Sequence, residues 1–246
     1  MCGRYTLASV DPWDLRGRFP AGSELEIRRR YNVAPSDEVL AVTTDKAGSP
    51  RLELLRWGLV PFWADGPDTK AKMINARAET VAERPAYRRA FESFRCLILA
   101  DGFYEWRPGP DGRKQAFHIT RGDGSVFSFA GLWSVWRPRS EESRPIEEAE
   151  TDDRANTHEL RSCTILTTAA NELVAPLHDR MPVILPRAAE DVWLDASTPA
   201  SVLHSLLRPL DPEETVIRPV GPAVNDVRYD GPECLEPPTP RQPALF

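Results

Sequence analysis

Short apolar runs, separated by turn-forming clusters, recur along the whole chain and set its predicted elements. Val39 to Thr44 and Arg51 to Trp57 read as strands around the turn Lys46-Ala47-Gly48-Ser49-Pro50. Cys96 to Leu99 reads as a buried strand leading into Asp101-Gly102-Phe103-Tyr104-Glu105-Trp106. Gln115 to Thr120 and Val126 to Ala130 flank Arg121-Gly122-Asp123-Gly124 and predict a hairpin. Cys163 to Thr168, Pro182 to Leu185 and Val216 to Val220 complete the strands.

The helices are few and short. Asp11-Pro12-Trp13 is an N-cap followed by proline at the first helical position, predicting a helix through Phe19. Arg84 to Phe94, Ala188 to Leu194 and Pro199 to Leu207 are the other helical segments, and Tyr31 to Pro35 reads as a loop. Many short strands without a βαβ rhythm predict an α+β fold. No repeat is visible, so a single compact domain over 1–236 is expected. The Pro-rich segment 237–246 is expected to be a disordered tail. Residues 137–161 are dense in Glu and Asp with no hydrophobic period, which predicts an acidic surface insertion between two strands.

Composition narrows the classes of function. No apolar run approaches the roughly 20 residues of a membrane span and no charged-then-apolar leader opens the sequence, so a cytoplasmic protein away from membranes is expected. The four cysteines (Cys2, Cys96, Cys163 and Cys234) stand far apart, with no Cys-x-x-Cys and no zinc spacing; neither a disulfide framework, a metal nor a cofactor is expected. The net charge of −6 excludes a uniformly basic surface but permits a local basic groove.

Candidate chemistry begins at Met1-Cys2-Gly3-Arg4. Removal of Met1 gives Cys2 a free α-amine beside its thiol, with ordinary pKa values of about 8 and about 8.5. Such a 1,2-aminothiol condenses with an aldehyde: the amine forms an imine and the thiol closes a thiazolidine ring. Position alone fits better a small residue at a disordered terminus.

Three further stretches carry polar groups in suggestive settings. In Ile74-Asn75-Ala76-Arg77-Ala78-Glu79-Thr80, an extended backbone puts Asn75 and Arg77 on one face, to hold a polar group and a phosphate. A turn with a surface arginine fits as well. Glu105 lies among Phe103, Tyr104 and Trp106, where apolar neighbours would raise its pKa toward proton-shuttling range; a solvated strand-end Glu is the plainer alternative. His178, in Leu177-His178-Asp179-Arg180-Met181-Pro182, has an acid and an arginine beside it that suit a proton carrier, or it is a structural histidine. His118, His158 and His204 have no such context. Phe62 and Trp63 follow Pro61 in an irregular segment, placed either to stack on bases or to pack in a core.

Taken in order, Met1 to Arg4, Tyr31 to Pro35, Arg56-Trp57-Gly58-Leu59-Val60-Pro61, Ile74 to Thr80, Asp101 to Trp106, Phe129-Ala130-Gly131-Leu132-Trp133, Thr167-Thr168-Ala169-Ala170-Asn171 and His178 to Pro182 resemble the SRAP family. SRAP stands for SOS-response-associated peptidase; its members include abasic-site processing proteins that crosslink to DNA. The resemblance runs from Cys2 to about Pro237. It implies a β-barrel-like core and a thiazolidine crosslink between Cys2 and the ring-opened sugar of an abasic site in single-stranded or junction DNA. It further implies that Asn75 orients the sugar, that Glu105 and His178 move protons, and that Arg4, Arg77 and Arg180 grip phosphates. Pro35, Trp63 and Thr167 match positions lining the DNA channel. The expected state is a monomer, associated with the nucleoid during repair. The alternatives are a cysteine-type peptidase or lyase acting through the same residues, and a noncovalent DNA-binding module. The sequence departs from the family pattern in the acidic stretch Glu141 to Asp153, expected to point away from DNA, and at Val224-Asn225-Asp226, where relatives often carry serine after the asparagine.

Overall fold

The computed structural model describes residues 2–19, 25–67, 73–109, 112–138 and 159–239. Its strands, in chain order, are β1 (Tyr5–Leu7), β2 (Arg30–Val33), β3 (Glu38–Thr44), β4 (Pro50–Trp57), β5 (Asn75–Arg77), β6 (Arg95–Ala100), β7 (Gly102–Pro108), β8 (Lys114–Arg121), β9 (Phe127–Trp136), β10 (Leu160–Ala169), β11 (Arg180–Pro182), β12 (Ile184–Leu185) and β13 (Thr215–Val220). Four short helices flank them: α1 (Pro12–Arg18), α2 (Arg88–Ser93), α3 (Glu190–Leu194) and α4 (Ala200–Leu206).

Strands β4, β3, β6, β9 and β10 pair in succession, and β10 pairs back to β4, closing a five-stranded barrel. The β10–β4 pairing is parallel and the other four are antiparallel, so the barrel is mixed. A second, antiparallel sheet runs β13-β8-β7-β1-β2. The single α+β domain with short helices is therefore as the sequence pattern predicts, and the barrel core is what the family resemblance implies.

Alternation along the buried strands builds two apolar layers. In β6, Leu97 and Leu99 join a cluster with Phe91, Trp193 and Leu203 from the helices, while Cys96, Ile98 and Ala100 face a second cluster. That second cluster is where the two sheets meet. Tyr5 of β1 packs edge-on against Trp57 and Phe129 at 5.3 and 5.7 Å, and Phe103 of β7 meets Phe129 at 6.4 Å. Gly131 of β9 must be glycine, because a Cβ there would lie 2.8 Å from Cys96 Sγ.

Several local expectations are corrected. Tyr31 to Val33 belongs to β2 rather than a loop, because β1 supplies a partner through Tyr5↔Val33. The predicted hairpin of β8 with β9 does not form: β8 pairs with β7 and β13, whereas β9 pairs with β6, β10 and β12. The Arg121–Gly124 turn instead carries the chain from one sheet to the other. The helix expected from Arg84 forms only from Arg88, since residues 84–87 remain in turns.

The expected acidic insertion is flanked by an antiparallel pair, Trp136↔Leu160, where Arg137 and Glu159 form an ion pair at 2.5 Å. Leu160 and Arg161 belong to β10, so the excursion is shorter than 137–161. The stretch Glu141 to Asp153 and His158 lie outside the described residues. In the expected tail, residues 237–239 are described and 240–246 lie outside. No helix among the described residues is long and apolar enough to cross a membrane.

One buried carboxylate sets the register on which the site depends. Asp101, just before β7, accepts hydrogen bonds from Ala8 N at 2.7 Å, from Thr6 Oγ1 at 2.5 Å and from Ser9 N. Thr6 Oγ1 also lies 2.9 Å from His118 Nε2, and burial pushes that imidazole down to about 4, so it stays neutral near pH 7. Replacing Asp101 by alanine leaves the backbone donors of Ala8 and Ser9 without their acceptor, while Thr6 Oγ1 keeps His118 Nε2 as a partner, and is expected to destabilise the fold by roughly 2 kcal/mol. Urea unfolding checks this; an unchanged midpoint would show that β1 is held by its apolar contacts alone.

Candidate active site

The register that Asp101 anchors brings the start of the chain to Glu105. Tyr5 pairs with Phe103 and Thr6 with Gly102, and Tyr104 N donates to Arg4 O at 2.9 Å. Continuing that antiparallel register puts Gly3 level with Glu105, so Cys2 arrives beside the carboxylate. Cys2 is 0% exposed and Glu105 4%. In the chain that still carries Met1, burial pushes the Cys2 thiol far above its ordinary range, and the Glu105 carboxylate pushes it further. Burial also raises Glu105, opposed by nearby His178.

The long strand β10 supplies the other half. Its first part closes the barrel, and its last residues hold two short strands, with Ile165↔Asn75 and Thr167↔Arg77 on one side and Ala169↔Arg180 on the other. Asn75 therefore stands on a fixed backbone, and its Nδ2 donates to Cys2 O at 2.7 Å. Asn75 Oδ1 is buried and accepts no hydrogen bond among the described residues. It is a buried acceptor on the same amide that holds Cys2 O.

His178 ends a turn that begins at Asn171. The buried Asn171 accepts from Val174 N and donates to Leu210 O and Thr215 Oγ1, each at 2.9 Å, which fastens that turn to the start of β13. His178 Nδ1 accepts from Arg180 N at 3.0 Å and lies 2.8 Å from Asp179 Oδ1. The backbone bond requires Nδ1 without a proton, whereas the Asp179 pair requires one. The two contacts thus favour opposite tautomers of the ring, with the proton on Nε2 for the first and on Nδ1 for the second.

The remaining predicted residues are placed unevenly. Arg4 lines the same groove as Glu105 and His178, with its guanidinium steadied by Asn32 Oδ1 at 2.7 Å, Val224 O at 2.9 Å and the face of Trp106. Arg77 is exposed on β5. Arg180 forms a two-pronged ion pair with Glu79 at 2.7 and 2.8 Å and donates to Thr167 O at 2.5 Å, so a phosphate must compete with a carboxylate there. Thr167 is fully buried below it, and its side chain lines no surface. Trp63 and Phe62 are each 50% exposed, and Arg89 stacks over Phe62 at 4.6 Å. Pro35 is half-buried in the turn after β2, which Ser36 N ties to Trp57 O.

Sequence reasoning missed three positioning groups. Asn32 donates to Val224 O, Asp226 O and Tyr229 O while holding Arg4, and so joins the chain start to residues 224–229. Asn171 was visible only as the last residue of a motif. Arg113 and Lys114 at the β7–β8 hairpin also line the groove, and two adjacent cations beside a glycine were the sole signal for them. Among the described residues no three His, Cys, Asp or Glu side chains are grouped to hold a metal ion.

Comparison with known proteins shows the family and the fold. Residues 1–227 match the family model described as SOS response associated peptidase (SRAP). Abasic site processing protein YoaM of Bacillus subtilis is 40% identical over 245 residues, covering 96% of this chain and 98% of its own. Abasic site processing protein HMCES of Xenopus tropicalis is 29% identical over 279 residues, covering 96% of this chain and 78% of its own. A crystal structure of a Bacteroides thetaiotaomicron protein, 23% identical, has the same fold, with a TM-score of 0.79 over 96% of this chain and 99% of that one. The match spans Cys2, Asn75, Glu105 and His178 together with the strands that converge them, and the chain belongs to the SRAP family.

Proposed function

We propose that this protein captures abasic sites in single-stranded or junction DNA as a covalent thiazolidine on Cys2, shielding the lesion. The observation that carries the reading is the convergence of Cys2, Asn75 and Glu105 from three separate elements, with an unused buried acceptor on Asn75. The names of the relatives supply the substrate class.

The chemistry balances without a cofactor. Hydrolytic removal of Met1 frees the Cys2 amine. The ring-opened sugar presents an aldehyde at C1′; the amine adds to it and water leaves, giving an imine. The thiol then adds across the C=N bond, sulfur bonding to C1′ while its proton passes to nitrogen. The net change is protein plus DNA minus one water. Glu105, held toward its neutral form by burial, gives a proton to the departing oxygen and recovers one from the amine. His178 carries protons at the groove side. One chain supplies every group, so the proposal needs no second copy.

The same residues serve the alternative, a cysteine peptidase with Cys2 as nucleophile. An activated protease thiol has its pKa lowered by a cationic setting. In the chain that still carries Met1, burial and a carboxylate push the thiol the other way, which disfavours a thiolate nucleophile there.

A denaturing gel tests the proposal. Abasic oligonucleotide incubated with the protein is expected to give a slow-migrating species that survives high salt and detergent, whereas an undamaged oligonucleotide gives none. A complex that dissociates under those conditions would reduce the activity to noncovalent binding. Asn75→Ala removes the amide that holds Cys2 O and is expected to slow adduct formation on the order of 10²-fold, the cost of misplacing a reacting group by about 1 Å. Single-turnover rates read this, and an unchanged rate would remove Asn75 from the mechanism.

A further inference from the structure

A second cleft lies at the other end of the β8–β13 ladder. The groove beside Glu105 reaches Ala116 and Val220, whereas this cleft reaches Arg121 and Glu214, the residue before Thr215. The paired positions from Arg121↔Thr215 to Ala116↔Val220 separate the two by roughly 17 Å at strand spacing. The cleft holds about 670 Å³, within the roughly 300–1,000 Å³ of small-ligand pockets. Nothing in the capture chemistry uses it.

Its walls are held by bonds within the fold. Leu210 O accepts from Asn171 Nδ2 at 2.9 Å, Gly122 N donates to Glu214 O at 2.8 Å, and Glu214 N donates to Asp211 O at 3.0 Å. Phe127, Ile184, Leu185 and Leu210 give it a buried apolar floor. Arginines stand around that floor: Arg18 at the end of α1, Arg121 at the end of β8, Arg187 just before α3 and Arg208 just after α4.

Four carboxylates also line the cleft, so its total charge is balanced, and the ligand is selected by the charges left unpaired. Arg18 pairs with Glu190, and Arg121 with Asp123 and Glu214. The fourth carboxylate, Asp211, accepts from Glu213 N at 2.9 Å and caps the turn that enters β13. Arg187 and Arg208 are exposed and have no hydrogen bond or ion pair among the described residues. Burial holds the Arg18 guanidinium below its ordinary range, and the charge of Arg187 lowers it further. Two cations thus share one buried carboxylate, Glu190, and an added anion would relieve their repulsion. Guanidinium forks fit the oxygens of a phosphate, and the floor accepts an apolar body beside it.

We propose that this cleft is a second binding site, for a small phosphate monoester gripped by Arg187 and Arg208 with its body on the apolar floor. A nucleoside monophosphate has the required size and chemistry. The site stands independently of the reading of Cys2.

Calorimetric titration of the full chain with deoxyadenosine monophosphate tests it. The wild type is expected to bind the nucleotide saturably, and to bind deoxyadenosine, which lacks the phosphate, about a hundredfold more weakly, at roughly tenfold per guanidinium. An Arg187→Ala/Arg208→Ala variant breaks no bond described in the fold, so it should unfold at the wild-type temperature while losing the same factor in affinity for the nucleotide. An Arg113→Ala/Lys114→Ala variant, altered in the groove beside Glu105, should bind the nucleotide as the wild type does. The site is overturned by a wild type that binds no nucleotide or binds the nucleoside equally well. It is also overturned by full affinity in the Arg187→Ala/Arg208→Ala variant, or by a loss seen instead in the Arg113→Ala/Lys114→Ala variant.

Discussion

Changing Cys2 to alanine is expected to abolish the adduct with abasic DNA while leaving noncovalent binding close to the wild-type level. The thiol is buried, and its own hydrogen bond, to Arg4 O at 3.7 Å, is weak. Its loss therefore removes a reacting atom without dismantling the site. Cys2→Ser separates the two halves of the aminothiol: the amine still forms an imine, but the ring closes poorly. Adduct should then be seen chiefly after borohydride reduction of the imine. Protein that retains Met1 should behave like the alanine variant, since its amine is in a peptide bond. Stable adduct formation by Cys2→Ala would place the chemistry on another nucleophile.

Glu105→Gln has the second largest expected effect. A buried carboxyl whose neutral form is favoured can give a proton at a pH where an ordinary carboxylate cannot. Losing such a group costs typically ~10²–10⁴-fold in rate. The amide keeps the shape and cannot exchange the proton, so binding should persist while adduct formation slows by that order. The pH profile should change as well. The wild-type rate falls on the alkaline side as Glu105 loses its proton, and that limb should be missing from the glutamine variant.

Stability gives an independent reading of the same group. The folded pKa of Glu105 lies above its unfolded value of about 4.3, so the folded protein binds more protons between the two values. Stability is therefore lost as pH rises through that window, because the buried carboxylate becomes charged. Glu105→Gln should be more stable than wild type near pH 7, with the difference vanishing as pH falls below the ordinary carboxylate range. Thermal unfolding at several pH values checks the sign. A variant less stable than wild type near neutrality would mean that the charged carboxylate is held by partners stronger than its burial.

How far the sequence could carry these conclusions depended on how local each signal was. Strands β3, β4 and β6 announced themselves through their own apolar runs, and α1 through its cap and proline. The false hairpin between β8 and β9 shows the limit. A glycine-rich turn between two apolar runs is a local signal, but each strand found its partners elsewhere, β8 in the preceding hairpin through Tyr104↔His118 and β9 in β6 through Ile98↔Phe129. Tyr31 to Val33 looked like a loop because its partner β1 is only three residues long.

The site divides in the same way. Cys2, Asn75, Glu105 and His178 each had a chemical argument, and their common location needed the family pattern to suggest it. The arginines were harder. A guanidinium in sequence carries no sign of what it binds, and Arg180 turned out to grip Glu79 and Thr167 O. Asn32 and Asn171 act through hydrogen bonds to carbonyls remote in sequence, which no local pattern encodes.

The most direct test of the central claim is the intact mass of the purified protein, before and after incubation with an oligonucleotide carrying one natural abasic site. The account predicts that Met1 is absent, that a species appears at the mass of protein plus DNA minus one water, and that peptide mapping places the bond on Cys2. Protein that lacks Met1 and yet gains no DNA mass, or an adduct that maps to any other residue, would contradict it.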